Sequence, residues 1–339
     1  MMKKIVFAMF LLVPGMTYAQ DGLDVLLTNS IADGKKLMDG YIDPFMKSTS
    51  LGLGQGWYNT AKPHKLAGFD LTFTGSAMII PTSDLFYDVS KIDLATVELD
   101  PSSPDYPKAP TIFGPDREPV YRITDVDDPD YNTTFEGPGG LDLKGNIGNN
   151  WMPVPMLTLG FGLPKGTDIK VRFAPTIDVG DDGSVKLFGI GVMHDIKQYI
   201  PGLKLLPFDL SGFVGFTKLS LDYKYTDDDV DGENQRGEFR LNTTTIQGVI
   251  SKKLSVVTFY GGMGYTIAKS NVAVKGTWDV NENGTIEDEE SNPVNLNYNA
   301  SSFSATAGFR LKLAVITLHT DYTFQKYNAF TVGFGINVR

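Results

Sequence analysis

The segment Asp279-Val280-Asn281-Glu282-Asn283-Gly284-Thr285-Ile286-Glu287-Asp288-Glu289-Glu290 follows the pattern D-x-[DN]-x-[DN]-G-x₅-E at every position. Asp279, Asn281, Asn283, Thr285, Glu287 and Glu290 supply oxygen atoms at the spacing that wraps Ca²⁺, with Gly284 at the turn. The flanks read as strands, so any ion here would be structural, in a loop between strands. A solvated acidic loop is the competing reading. Asp227-Asp228-Asp229-Val230-Asp231-Gly232, running on to Glu238, has the same ligand spacing, but Asn234 sits where an apolar residue is usual. His319 and Asp321 share a parity and raise the idea of a hydrolase dyad, yet no positioned nucleophile accompanies them. Pairing with Arg310, Arg172 or Asp70 accounts for them better. His64 and His194 lack metal-ligand spacing. The chain has no cysteine, which excludes disulfides and thiolate metal sites. No catalytic residues and no organic cofactor are expected, and the chain does not read as an enzyme.

The elements around these residues alternate with a period of two. Near the end, Phe330, Val332, Phe334, Ile336 and Val338 oppose Thr331, Gly333, Gly335, Asn337 and Arg339. Such alternation means strands with one apolar and one polar face. The pattern predicts strands at 67–80, 152–162, 167–179, 183–195, 207–225, 237–251, 254–272, 295–312, 313–325 and 328–339. A further pair around Ala95–Leu99 and Pro119–Thr124 would raise the count from ten to twelve. The parity change between Phe216 and Leu219 predicts a bulge near Thr217-Lys218. The fold expected is all-β: an antiparallel transmembrane β-barrel with a short N-terminal helical plug. Its domains are a signal peptide at 1–19, a plug segment at 20–65, and a barrel at 66–339 carrying a long external loop at 81–150.

Two N-terminal features support this layout. Lys3 and Lys4 precede an apolar run from Ile5 to Val13, and Ala19 offers a small residue for cleavage, as in a secretory leader. Leu23, Leu26, Leu27, Ile31, Leu37, Met38, Tyr41 and Phe45 then recur at helical spacing, with a break predicted near Gly34. The turns fall into short basic ones, such as Pro164-Lys165-Gly166 and Ser251-Lys252-Lys253, and long acidic ones. Short turns belong to the periplasmic side of outer-membrane barrels, which places both termini in the periplasm. Residues 196–203 read as a short helix or turn at the membrane surface, and Tyr199, Phe208, Tyr223, Tyr225, Tyr298, Tyr322, Phe324 and Tyr327 as an interfacial belt.

Several motifs carry a family resemblance. Trp57-Tyr58-Asn59-Thr60-Ala61-Lys62-Pro63-His64-Lys65, Leu163-Pro164-Lys165-Gly166-Thr167, Val171-Arg172-Phe173-Ala174-Pro175 and Ile200-Pro201-Gly202-Leu203-Lys204 resemble a family of uncharacterised Gram-negative outer-membrane barrels with no assigned activity. The helical segment before the first strand is distantly similar to that of the long-chain fatty-acid transporters, where it plugs the barrel. These resemblances imply an outer-membrane location and passive passage of a small hydrophobic or amphipathic molecule. The alternative is a non-transporting surface barrel whose acidic loops bind calcium, lipopolysaccharide or a partner. The formal charge of −10 disfavours nucleic acid, leaving outer-membrane lipid and lipopolysaccharide as expected partners.

Overall fold

The computed structural model describes residues 30–124, 133–179, 183–225, 232–279 and 284–338. The expected leader therefore lies outside the described residues, as does the whole of the acidic run 227–231. Helix α1 spans Ile31–Gly52 and α2 Leu143–Ile147. The strands are β1 (Phe69–Ile79), β2 (Phe86–Asp88), β3 (Val97–Leu99), β4 (Lys108–Pro110), β5 (Val120–Ile123) and β6 (Thr133–Glu136). They continue as β7 (Trp151–Leu163), β8 (Thr167–Val179), β9 (Gly183–Asp195), β10 (Asp209–Lys224) and β11 (Arg236–Leu254). The last are β12 (Val257–Lys275), β13 (Val294–Asn299), β14 (Ser302–Leu313), β15 (Ile316–Phe324) and β16 (Ala329–Val338).

Ten of these strands, β1, β7 to β12 and β14 to β16, close into an antiparallel ring. The seam is made by β1 and β16, from Phe69↔Val338 to Met78↔Ala329. The segment read as one strand over 295–312 is two, because the chain breaks at Ala300-Ser301; β13 and β14 both pair with β12. Apolar side chains point outward around the ring, among them Leu159, Ile190, Phe216, Ile250, Met263, Leu318 and Phe334, each well exposed. Thr72, Thr158, Arg172, Thr245, Arg310 and Asp321 are among the polar side chains that point inward and are buried. Water would expel such an exterior, whereas hydrocarbon accepts it, and ring closure leaves no sheet edge inside the lipid. The molecule is a transmembrane β-barrel. At one end the turns are tight: three residues separate the paired Leu163 and Thr167, and Lys165 and Gly166 adopt left-handed φ of 62° and 65°. Residues 197–199 and 203–205 form short 3₁₀ turns at the same end, with Leu205 90% exposed.

The long-loop end is larger than a set of loops. The described residues of 81–150 fold into a lid with two small sheets, β2–β4 and β3–β5–β6. The extra strands expected near Ala95–Leu99 and Pro119–Thr124 exist and pair with each other, but in the lid, so the barrel stays at ten. Helix α1 runs unbroken through Gly34. Its surroundings explain this: Ser30 caps its first turn, and the Asp33 carboxylate accepts hydrogen bonds from the amides of Ala95, Thr96 and Val97 in the lid. Leu37 packs with Val97, Leu99 and Tyr121 of the lid, while Met46 and Leu51 lie in the lumen core. Gly40 lets the helix lie against the Tyr87 ring, where a Cβ would be at 2.6 Å.

No bulge interrupts β10, which pairs without a shift on both sides from Ser211 to Tyr223. The parity change has another cause. Val214 and Phe216 face lipid, whereas Leu219 and Leu221 face inward where the strand packs against the plug core. The register shift lies in β8, between Ala174 and Ile177. The aromatic belt is also thinner than expected. Tyr199 and Phe324 are exposed, but Tyr298 and Tyr327 are buried, and Tyr225 packs on Trp278 at 4.9 Å.

Candidate functional site

The lumen has two storeys. In the short-turn half, segment 53–65 leaves α1 and descends along the wall. Arg172 on β8, fully buried, holds it: the guanidinium donates to the carbonyls of Leu53 (2.8 Å) and Gln55 and to Thr158 Oγ1 (3.1 Å). It also lies 3.6 Å from the centroid of the Trp57 ring. Tyr58 donates to Gln247 Oε1 at 2.6 Å and meets Phe213 and Tyr260 edge-on. Ala61 is tied by both backbone groups, its N–H donating to Ser251 Oγ and its carbonyl accepting from Ser211. The motif from Trp57 to His64 is thus the foot of the plug, and the Val171-Arg172-Phe173 motif contributes its clamp.

His64 ends that foot and is not isolated. Its backbone N–H donates to Asp168 Oδ1 at 2.7 Å, and Nδ1 lies 2.9 Å from Asp168 Oδ2. Nε2 lies 2.6 Å from Asn337 Nδ2 and 3.5 Å from Asp70 Oδ1. A proton on Nδ1 satisfies both strong contacts, with Nε2 accepting from Asn337. Lys170 approaches Asp70 at 3.9 Å, and Thr72 donates to Asp70 at 2.7 Å. Asp168 and Lys170 were missed from sequence; their inward parity on β8, shared with Arg172, was the available signal. His319 and Asp321 do face the lumen, but they do not form a dyad. Asp321 accepts from Tyr260 at 2.7 Å, and His319 sits on the rung of Arg310 with its ring over the bare Cα of Gly333. The arrangement fixes charge and anchors the plug.

The wall glycines have a related role. Gly262 leaves room for the Tyr58 hydroxyl, and Gly264 for close approach of Ile246 and Gln247. Both lie on fully paired stretches of β12. The interruption in the hydrogen-bond ladder of the wall is elsewhere. The β7–β8 ladder runs from Leu163↔Thr167 only to Thr158↔Arg172. Among the described residues, none of 151–157 pairs with β8, although all of them pair with β1. Pro153 and Pro155 have no N–H to offer a ladder, so β7 is built as an edge on that side. Inside the split, Met152, Val154 and Met156 are buried against α1. Ser48 and Thr49 hydroxyls lie 3.5 and 3.4 Å from Met152 Sδ, and Gly52 packs on Val154.

The Asp279 loop is partly described. Gly284 takes φ of 76°, and its N–H donates to Asp279 Oδ2 at 2.7 Å. Glu290 Oε2 accepts from Glu287 N at 2.9 Å, and Asp279 and Glu290 are both buried. Thr285 and Glu287 are exposed. Asn281 and Asn283 lie outside the described residues. Among the described residues, no group of three or more His, Asp or Glu side chains is placed to hold a metal.

A family model described as "Family of unknown function (DUF6588)" matches residues 2–338. The chain belongs to that family. As a DUF6588 member it has barrel neighbours among solved structures. The attachment invasion locus protein Ail of Yersinia pestis is 9% identical, covering 80% of this chain and 98% of that one at a TM-score of 0.25. The translocator domain of autotransporter NalP from Neisseria meningitidis is 9% identical, covering 87% and 93% at 0.30. The TodX monoaromatic hydrocarbon channel is 8% identical, covering 81% and 67% at 0.22. At such distances these likenesses say nothing about substrate. No curated protein matches the chain.

Proposed function

We propose that this DUF6588 protein is an outer-membrane barrel for passive passage of small hydrophobic or amphipathic molecules, with its short-turn end and the end of β16 in the periplasm; Ser30, where the described chain begins, lies instead at the long-loop end beside the lid, against the expectation of two periplasmic termini. The observation that carries this reading is the β7/β8 split. Passage along the axis would meet the Arg172 clamp and the Asp70–His64–Asp168 network. The split instead joins the lipid-facing surface to an apolar interior. That interior is rich in methionine: Met38, Met46, Met78, Met152 and Met156 share one core. Thioether side chains repack at low cost and suit varied apolar ligands. Movement of α1 away from Met152 and Val154 would unstopper the split from within. A second reading, a surface barrel that transports nothing, draws support from the same filled lumen.

Because the chain has no cysteine, a designed disulfide tests the choice cleanly. Leu157→Cys with Phe173→Cys spans the first unpaired rung, and Phe161→Cys with Ile169→Cys spans a paired one. Oxidation of the first pair should stop uptake of an aromatic hydrocarbon or medium-chain fatty acid into proteoliposomes, and reductant should restore it. The second pair should change nothing. Background uptake by the unmodified protein would favour the surface-barrel reading.

The loop from Asp279 to Glu290 is proposed to take one Ca²⁺. Support comes from Gly284 in the left-handed region at position six, and from the Thr277↔Ser291 bridge that draws the loop ends together. Calorimetric titration that yields no calcium-dependent heat would reject it.

A further inference from the structure

The register shift in β8 leaves a mark on the lipid-facing wall. A cavity of about 280 Å³ opens there, lined by Phe173, Thr176, Lys186, Phe188, Lys218 and Ser220. Phe173, Phe188 and Lys218 share a rung across β8, β9 and β10. Lys186 and Ser220 share the next rung toward the long loops. On β9 the outward residues below are Ile190 and Val192, and on β10 they are Phe216 and Val214. The two lysines therefore stand at the upper border of the apolar band, directly beside its last aromatic pair. Both are exposed on the outward face. No ion pair engages either lysine among the described residues. The nearest outward carboxylate along β10, Asp222, is bound to Arg240.

We infer that this is a binding site for a phosphorylated glycolipid of the outer leaflet, of the lipid A type. The inference rests on the proposed orientation, which puts the long-loop end in that leaflet. Lysine is a point donor of three hydrogen bonds, and a pair on neighbouring strands suits a phosphate monoester at the head-group level. Phe173 and Phe188 continue below as the surface for an acyl chain. The cavity is smaller than the about 300–1,000 Å³ that encloses a whole drug-sized ligand, so it takes one part of a larger molecule. The long acidic loops would need bridging cations to hold the same phosphates. This site needs no cation.

The test uses the full-length protein in nanodiscs of neutral phospholipid, with bisphosphorylated lipid A, its dephosphorylated form and phosphatidylglycerol as separate probes. Lipid A should bind most tightly. Lys186→Gln with Lys218→Gln should weaken it about 30-fold, taking the usual contribution of a surface lysine near an anionic lipid. Lys252→Gln with Lys253→Gln, at the other end of the barrel, should leave it unchanged. Equal binding by the first double variant, or equal binding of the dephosphorylated form, overturns the site. Preference for phosphatidylglycerol with the same lysine dependence overturns the lipid A assignment and points to a reversed orientation. Surface labelling of a cysteine introduced at Ser102 in the lid checks that orientation independently. An unchanged far-ultraviolet spectrum shows that the variants fold.

Discussion

Replacing Arg172 with methionine should free the foot of the plug. The side chain is wholly buried, and its removal strands the carbonyls of Leu53 and Gln55 in the lumen. A buried acceptor left without its donor costs about 1–3 kcal/mol, so two cost about 2–6 kcal/mol. The Trp57 contact adds roughly 1–2 kcal/mol. Against this, the variant no longer bears the desolvation of a buried cation, which is several kcal/mol before pairing. A net destabilisation of about 2–4 kcal/mol for docking of residues 53–64 follows. At about 1.4 kcal/mol per decade, the open population rises roughly 30- to 700-fold. Hydrogen exchange reads this directly, because the amides of Ala61 and His64 are held by Ser251 and Asp168. Their protection should fall by that factor while the β1–β16 ladder keeps its own. Arg172→Lys should lie between, since an ammonium cannot reach both carbonyls and Thr158 as the guanidinium fork does. Exchange in the methionine variant within threefold of the parent protein would show that the clamp is not what seats the plug.

Acid should loosen the lid. Burial tends to raise the Asp33 carboxyl, but hydrogen bonds from the amides of Thr96, Ala95 and Val97 hold it below its ordinary value. A carboxyl lowered by folding stabilises fully above its unfolded pKa, about 3.9, and loses that contribution as pH falls through its lower folded value. Exchange at residues 95–97 should therefore rise only below about pH 4. Asp33→Ala should mimic this at neutral pH, at about 1–3 kcal/mol, measured by the same amides. Gly262→Ala should push out the Tyr58 hydroxyl and weaken the foot, seen as a lower thermal midpoint in detergent, whereas Gly75→Ala, with open space around it, should be nearly neutral. Asp279→Ala should abolish any calcium-dependent gain in thermal stability, while Glu98→Ala, in the lid and outside both acidic loops, should not.

The barrel was legible because lipid on one side and a packed polar lumen on the other impose a period of two. Phe330 to Val338 could not be read otherwise, and β16 ends where the alternation does. The same rule misled where the environment reverses. Leu219 and Leu221 are apolar and inward, since above the lipid the plug core replaces the polar lumen. Read by hydrophobicity alone, an inverted face looks like an inserted residue. The lid strands were visible as short β-rich runs near Val97 and Val120, but which sheet they join depends on contacts far along the chain. The clamp was half visible. Arg172 stood out as an inward charge, yet its partners are backbone carbonyls, which have no sequence signature. The β7/β8 split had its signal in Pro153 and Pro155, two residues poor at sustaining a ladder on both sides of a strand.

The seam between β1 and β16 has a bearing on how the molecule is assembled. Until Phe69 meets Val338, the chain is an open curved sheet with two unpaired edges, a form prone to sticking to other chains. The plug is tethered to one of those edges through Gly68, a few residues from His64. Bringing β1 home therefore carries the plug to the lumen in the same movement. Docking of Arg172 on Leu53 and Gln55 joins the tether to the opposite flank of β7 before or as the ring closes. The stopper is in this sense also a drawstring: the contacts that fill the finished pore shorten the search that its two ends must make to find each other.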